Sequence, residues 1–298
     1  MILTHQDSFP SAKILRNSIA KELGWDKKEL LVTKNPNRIS TLHVRYGNSS
    51  STRARNSSNV LNSQTFIKTC AHKREMVTRI MKGSKKSIPS TEFISLSKRL
   101  PTNDEFPFLV RETLTSGGSK GILLFQEFED FLDALGKGVI KYGSYWSPYI
   151  VFSEEYRVHV LGGKIGKIFR KELNDAEKVE NIYIRNNDNS HFYRLKIEKT
   201  PKSVRGIVKN FHDFYKGNFR GESYFTALDI GIRANDDNAV FIEANTAPGL
   251  NEATADVYAK FIIANSSAFA VSEKEVGIIQ ALKEQTKSLN NEWALRYE

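Results

Sequence analysis

YFTALDIGIRANDDNAVFIEANTAPGL, residues 224–250, decides the fold. It reads as two strands joined by a polar turn. Side chains two apart share one face of a strand, so Glu243 and Asn245 point the same way. If ANDDNA turns about Asp236, positions 229 and 243 lie opposite each other, equally far from that centre. Asp229 and Glu243 then face each other with Cβ atoms about 4.5–5.5 Å apart. Like charges placed there repel, and the pair needs a cation between them or one carboxyl that keeps its proton. A solvent-facing hairpin with two hydrated acids is the simpler alternative. Against it, Phe225, Leu228, Ile230, Val240, Ile242 and Ala244 put apolar side chains on both faces. That means burial, and buried unpaired carboxylates are costly. Two carboxylates and one amide oxygen form an all-oxygen set that suits Mg2+, with water and phosphate oxygens completing its shell. Pro248–Gly249 then stops the second strand.

Upstream, EYRVHVLGGKIGKIFRKEL reads as another hairpin, closed on Gly162–Gly163, a favoured two-residue turn. FLVRETL is a strand, TSGGSKG a loop, and ILLFQEFEDFLDALGKG a strand followed by a helix. SVRGIVKNFHDFYKG is helical, and CAHKREMVTRIMKG reads as one amphipathic helix. At the amino terminus MILTH is a short strand. SAKILRNSIAKELG then carries Ile14, Leu15, Ile19 and Leu23 at helical spacing, with Gly24 to end it. ELLVT and STLHVRY follow as strands, a small βαβ-like start. Residues 47–58 are a polar loop, and the last forty residues look helical.

The 298 residues, 40% hydrophobic and 26% charged, have ordinary globular composition. No apolar run approaches the length that spans a bilayer. Nor does the opening resemble a secretory signal. Cys70 is the single cysteine, which excludes an internal disulfide framework and a cysteine-rich zinc site. A cytoplasmic location is expected. Residues 1–100 hold 19 Lys and Arg against 6 Asp and Glu, whereas the remainder holds 25 against 28. This asymmetry suits an anionic partner: nucleic acid, a nucleotide or an acidic peptide. A solvated basic face is the plain alternative.

IEANTAPGL, with ALDI upstream, resembles the metal-binding end of ATP-grasp ligases. D-alanine–D-alanine ligase, glutathione synthetase and the glutamate ligases that modify ribosomal protein are of this kind. The resemblance implies an α/β (α+β) fold in which two subdomains grip ATP behind a small amino-terminal domain. The expected division is 1–90, 91–150 and 151–298. It also implies that Asp229, Glu243 and Asn245 hold two Mg2+ ions, or Mn2+, on the ATP phosphates. Lys73 resembles the family lysine that reaches those phosphates. FPFLVRETLTSGGSKGI resembles the strand and phosphate loop, with Arg111 where the family has lysine and Gly117, Gly118, Ser119 and Gly121 in the loop.

Glu155 falls where the family binds the ribose hydroxyls. Counting from Gly162–Gly163 places it across from Arg170, so a Glu155–Arg170 salt bridge is the competing expectation. Pro148 stands where the family has an acid in its adenine hinge, which leaves the backbone of Tyr149, Ile150 and Val151 for the base. Arg170, Lys171, Arg185 and Asn186 resemble basic positions near the transferring phosphate. Arg45 in HVRYG is the candidate contact for a substrate carboxylate. His5, His43 and His72 have no metal-like spacing.

The reaction so implied joins a carboxylate to an amine through an acyl phosphate, with ADP and phosphate released. The amine could belong to an amino acid, a peptide or a protein, and a homo-oligomer is left open. A kinase on the same ATP seat is the first alternative. A basic nucleic-acid-binding protein ranks below it, since no nucleic-acid motif accompanies the charge.

Overall fold

The computed structural model describes residues 2–5, 9–34, 43–48, 60–83, 90–114, 121–175, 185, 189–219 and 223–265. Two compact units emerge. One comprises Met1–Lys68, Phe219–Thr226 and Thr246–Glu298, the other Thr69–Asn218 and Ala227–Asn245. They interleave along the chain.

In the first unit, β1 (Ile2–His5), β2 (Leu31–Thr33), β3 (His43–Tyr46) and β4 (Val60–Leu61) form a parallel sheet in the order β2-β1-β3-β4. Helix α1 (Phe9–Leu23) connects β1 to β2, which completes the expected βαβ start. Its buried residues Ala12, Leu15, Ile19 and Leu23 recur at helical spacing. Gly24, at φ +66°, closes it in the left-handed conformation that glycine adopts without a Cβ penalty. Helix α6 (Glu252–Ala264) packs on α1. Asn251 caps it by accepting the Thr254 amide at 2.9 Å. The Tyr46 hydroxyl donates to the Pro248 carbonyl, fastening the turn after the acidic hairpin.

In the second unit, α2 (Gln64–Ala71) ends and α3 (Lys73–Gly83) begins where one helix was expected. His72 is the break. Its Nδ1 accepts the Glu75 amide at 3.2 Å, serving as the cap of α3. Four strands, β5 (Ile94–Ser95), β6 (Phe108–Arg111), β7 (Ile122–Phe125) and β8 (Tyr145–Pro148), form an antiparallel sheet in the order β5-β8-β6-β7. Helix α4 (Phe128–Gly136) covers it through Phe131, which meets Phe108 and Phe125 edge-on in a core with Trp146.

The larger sheet has the order β11-β10-β9-β12-β13, built from β9 (Phe152–Leu161), β10 (Lys164–Leu173), β11 (Ser190–Leu195), β12 (Phe225–Arg233) and β13 (Ala239–Asn245). Helix α5 (Lys202–Asn218) packs on it, with Phe211 stacked on Phe241. β8 and β11 have no counterpart among the strands expected from the sequence. Among the described residues, no helix is long and apolar enough to cross a membrane.

Both long hairpins contain a bulge. In β12–β13 the pairs are Ile232↔Ala239 and Ile230↔Phe241, then Asp229↔Glu243, so Ile242 is the extra residue. In β9–β10 the pairs are Lys164↔Leu161 and Ile165↔Val160, then Lys167↔His159 and Lys171↔Glu155, with Gly166 extra. Glu155 therefore opposes Lys171 rather than Arg170. Gly162 and Gly163 both have positive φ, as the turn that joins β9 to β10 requires.

Candidate functional site

Cross-strand partners share a face, so one face of the larger sheet carries Glu155, Arg157, Lys171, Asp229 and Glu243 together. Asp229 is the centre of this group. Arg157 grips both its oxygens, Nε to Oδ1 at 2.9 Å and Nη2 to Oδ2 at 2.8 Å. Lys171 Nζ lies 2.6 Å from Oδ2. Glu243 meets Lys73 at 2.8 Å through Oε2. Beside them, Glu155 accepts from Arg185 at 2.6 Å and lies 3.8 Å from Lys171. Arg157 also stacks on the Phe192 ring, 5.1 Å from its centroid.

These contacts explain how the like-charged pair survives burial. At an effective dielectric of about 20, two like charges about 5 Å apart repel by ~3 kcal/mol. An opposite charge at about 2.8 Å attracts by ~6 kcal/mol. With two cations on Asp229 and one on Glu243, attraction wins. Burial pushes the Asp229 carboxyl up, but Arg157 and Lys171 outweigh it and hold it well below the usual carboxylate range. Burial and Asp229 likewise push Glu243 up, and Lys73 with Lys171 brings it below its ordinary value. Both acids are ionised at neutral pH. Such a pair calls for a shared cation or a proton, and the protein itself supplies three cations.

Two of those cations were singled out from the sequence and Arg157 was not. Its signal lay in EYRVHV, where 157 shares a face with 155. Only the non-sequential neighbouring of β9 and β12 shows that this face meets Asp229.

Arg111 ends β6 with its guanidinium 5.8 Å from the Phe93 centroid and its buried Nε without a hydrogen-bond partner. Burial lowers its pKa, and Glu243 opposes that shift. Gly121, at φ +69°, opens the return strand, and its carbonyl accepts the Glu112 amide. Gly117, Gly118, Ser119 and Asn186 lie outside the described residues. In the hinge, the Tyr149 amide donates to Pro107 and the Val151 carbonyl accepts from Ala234, both at 3.0 Å. Asn245 shares the Glu243 face and pairs with Ala227 in the ladder.

Arg170 is not brought to this group. Adjacent strand residues point to opposite faces, and Arg170 instead pairs with Glu154 at 3.4 Å and with Glu172 on the other side. The expected Glu155–Arg170 bridge is thus replaced by Glu155–Arg185. Arg45 is buried in the first unit, where its Nη1 donates to the Asn48 carbonyl at 3.1 Å. His5 is buried as well.

No protein-family model matches the sequence, and no curated protein matches it. Solved structures do. An ATP-grasp ligase, PsnB, complexed with minimal precursor has a TM-score of 0.60 at 10% identity, over 89% of this chain and 98% of that one. D-alanine–D-alanine ligase from Bacillus anthracis complexed with ATP has a TM-score of 0.56 at 15% identity, over 95% and 97%. A Chryseobacterium gregarium RiPP-associated ATP-grasp ligase, in complex with ADP and a leader and core peptide, has a TM-score of 0.53 at 14% identity, over 88% and 95%.

This chain has the ATP-grasp fold. At such identities the likeness concerns architecture, and the chemistry must be argued from the side chains. On the ATP-grasp frame, the acid–cation group occupies one face of the larger sheet, and Arg111 ends a strand of the smaller sheet in the same unit.

Proposed function

We propose that this protein is an ATP-dependent ligase that joins a carboxylate to an amine through an acyl phosphate. The observation that carries this reading is the in-register Asp229–Glu243 pair, ringed by Arg157, Lys171 and Lys73 on an ATP-grasp sheet. The residues fit Mg2+ and a triphosphate. Ionised carboxylates offer roughly four acceptor sites each, so Asp229 keeps capacity beyond its contacts with Arg157 and Lys171. Arg111, buried with an unpaired Nε, fits an anion.

Asp229, Glu243 and Asn245 would hold the metal, which when bound neutralises phosphoryl oxygens. Lys73, Lys171 and Arg111 supply fixed positive charge where the γ-phosphoryl group passes to the substrate. Arg157 keeps Asp229 ionised and in one orientation. Glu155 would accept the ribose hydroxyls once Arg185 yields, and the Ile150 peptide groups between the two anchored hinge residues would read the base. The substrate carboxylate oxygen attacks the γ-phosphorus and the bond to ADP breaks. The amine nitrogen then adds to the acyl carbon, the C–O bond to phosphate breaks, and the amine loses its proton to solvent. Excess positive charge over residues 1–100 favours an anionic substrate, and a peptide or protein fits it as well as an amino acid does.

The test is ADP release from Mg–ATP across a panel of amino acids and peptides, with hydroxylamine present to trap an acyl phosphate as a hydroxamate. We expect substrate-dependent ADP and hydroxamate, both lost in Glu243→Ala. ADP release without hydroxamate or amide product would replace the ligase with a kinase. No nucleotide binding at all would end the proposal.

A further inference from the structure

A cavity of about 440 Å³ opens in the second unit where β10 and β11 meet the short helical turn Ile197–Lys199. Its lining includes Lys167, Arg194 and Lys196, against one acid, Glu198, with Leu195 and Ile197 adding apolar surface. The volume falls in the range of small-ligand sites. Lys167 is the built element: it is 7% exposed, and the Gly166 bulge sets its direction. Arg194 is exposed and stands across from Phe169 in the ladder, so it shares the face of Lys167 and Lys171. No register shift intervenes between Lys167 and Lys171. Four residues of strand therefore separate this cavity from the Asp229 group, about 13 Å on the same face.

A cationic cavity at that distance is too far to hold the reacting carboxylate itself. It suits a second anionic group on the same substrate. We propose that the cavity binds a carboxylate of a peptide substrate, carried by an acidic side chain or the carboxy terminus, while Leu195 and Ile197 take the adjoining aliphatic part. An extended peptide of about four residues spans the distance to the phosphate site. This rests on the ligase reading for the identity of the reacting group, and it makes the substrate a peptide with a second acid, not a free amino acid.

Binding without nucleotide separates the two ideas. Fluorescence anisotropy would compare labelled tetraglutamate blocked at both ends, blocked tetraglutamine, and tetraglutamine with a free carboxy terminus. The wild-type chain should prefer tetraglutamate to blocked tetraglutamine by about tenfold, the scale of one charge-assisted hydrogen bond. Lys167→Met and the exposed double variant Arg194→Ala/Lys196→Ala should each erase most of that preference, the second without any risk to the core. A free-terminus tetraglutamine that matches tetraglutamate would assign the cavity to the chain end. Equal binding of all three peptides, or full preference retained in the double variant, would overturn the subsite. So would single-stranded oligothymidylate competing as well as tetraglutamate, which would mark a general polyanion surface. Fluorescent ATP binding with Mg2+, measured alongside, should be intact in both variants. Its absence from the wild type would strike the ligase reading alone.

Discussion

The hairpins β9–β10 and β12–β13 lie in one sheet, and each carries one bulge, yet they place charge in opposite ways. The first sets Glu155 across from Lys171, an attraction that needs nothing further. The second sets Asp229 across from Glu243, a repulsion that survives only through side chains from elsewhere. Arg157 and Lys171 come from the first hairpin and Lys73 from α3. The first hairpin thus serves as counterion to the second, and cations from one strand pair make a carboxylate pair on another available for chemistry.

The sharpest break of this comparison is Asp229→Asn. It takes the carboxylate from Arg157 and leaves Lys171, whose side chain is only 2% exposed, with Glu155 at 3.8 Å as its remaining acid. Removing one partner of such a buried group costs about 3–5 kcal/mol, which chemical denaturation should read directly. Glu155→Gln, measured beside it, should cost clearly less, because Lys171 keeps Asp229. Equal losses would mean the two hairpins are independent. Lys171→Met should come next, at about 1–3 kcal/mol, since Arg157 still holds Asp229.

A smaller effect concerns pH. His159 is buried on the same face, and burial, helped by Arg157 and Lys167, pushes its pKa down to about 3 from 6.5. The unfolded chain therefore binds the extra proton first, and this group's contribution to stability falls as pH drops from about 6.5 toward 3. The slope approaches ~1.4 kcal/mol per pH unit in that window. His159→Gln should flatten this part of the denaturation profile; an unchanged profile would show that His159 has other compensation. Smallest of all is Arg170→Gln. Its pairs with Glu154 and Glu172 are about 40% exposed, so stability should change by about 0.5 kcal/mol or less.

The same two hairpins show what was legible in the sequence. Counting outward from Gly162–Gly163 gives the pairs next to that turn, then fails by one residue beyond Gly166, which is why Arg170 was matched to Glu155. Counting from Asp236 is off near the turn, where Ile232 meets Ala239, and becomes right at Asp229 because Ile242 adds the missing residue. Periodicity revealed the strands of these two hairpins, α1 and α5, since each buries a face of its own. It could not reveal Arg157, whose partner Asp229 lies 72 residues further along on a strand that is not its sequence neighbour. The break at His72 was equally hidden, because the apolar pattern runs on through both helices while a single imidazole nitrogen divides them.

Ile242 has a consequence for how this locus can vary. Loss of that one codon would place Glu243 directly after Phe241 and keep it opposite Asp229 in a ladder without the bulge, whereas one more residue inserted there would move Glu243 past Asp229. An insertion or deletion in the tip Ala234–Asn238 would instead be absorbed before the bulge. Reading-frame-preserving changes should therefore be common at the tip of this hairpin and insertions absent between residues 240 and 243, a pattern that sequencing of natural variants can reveal.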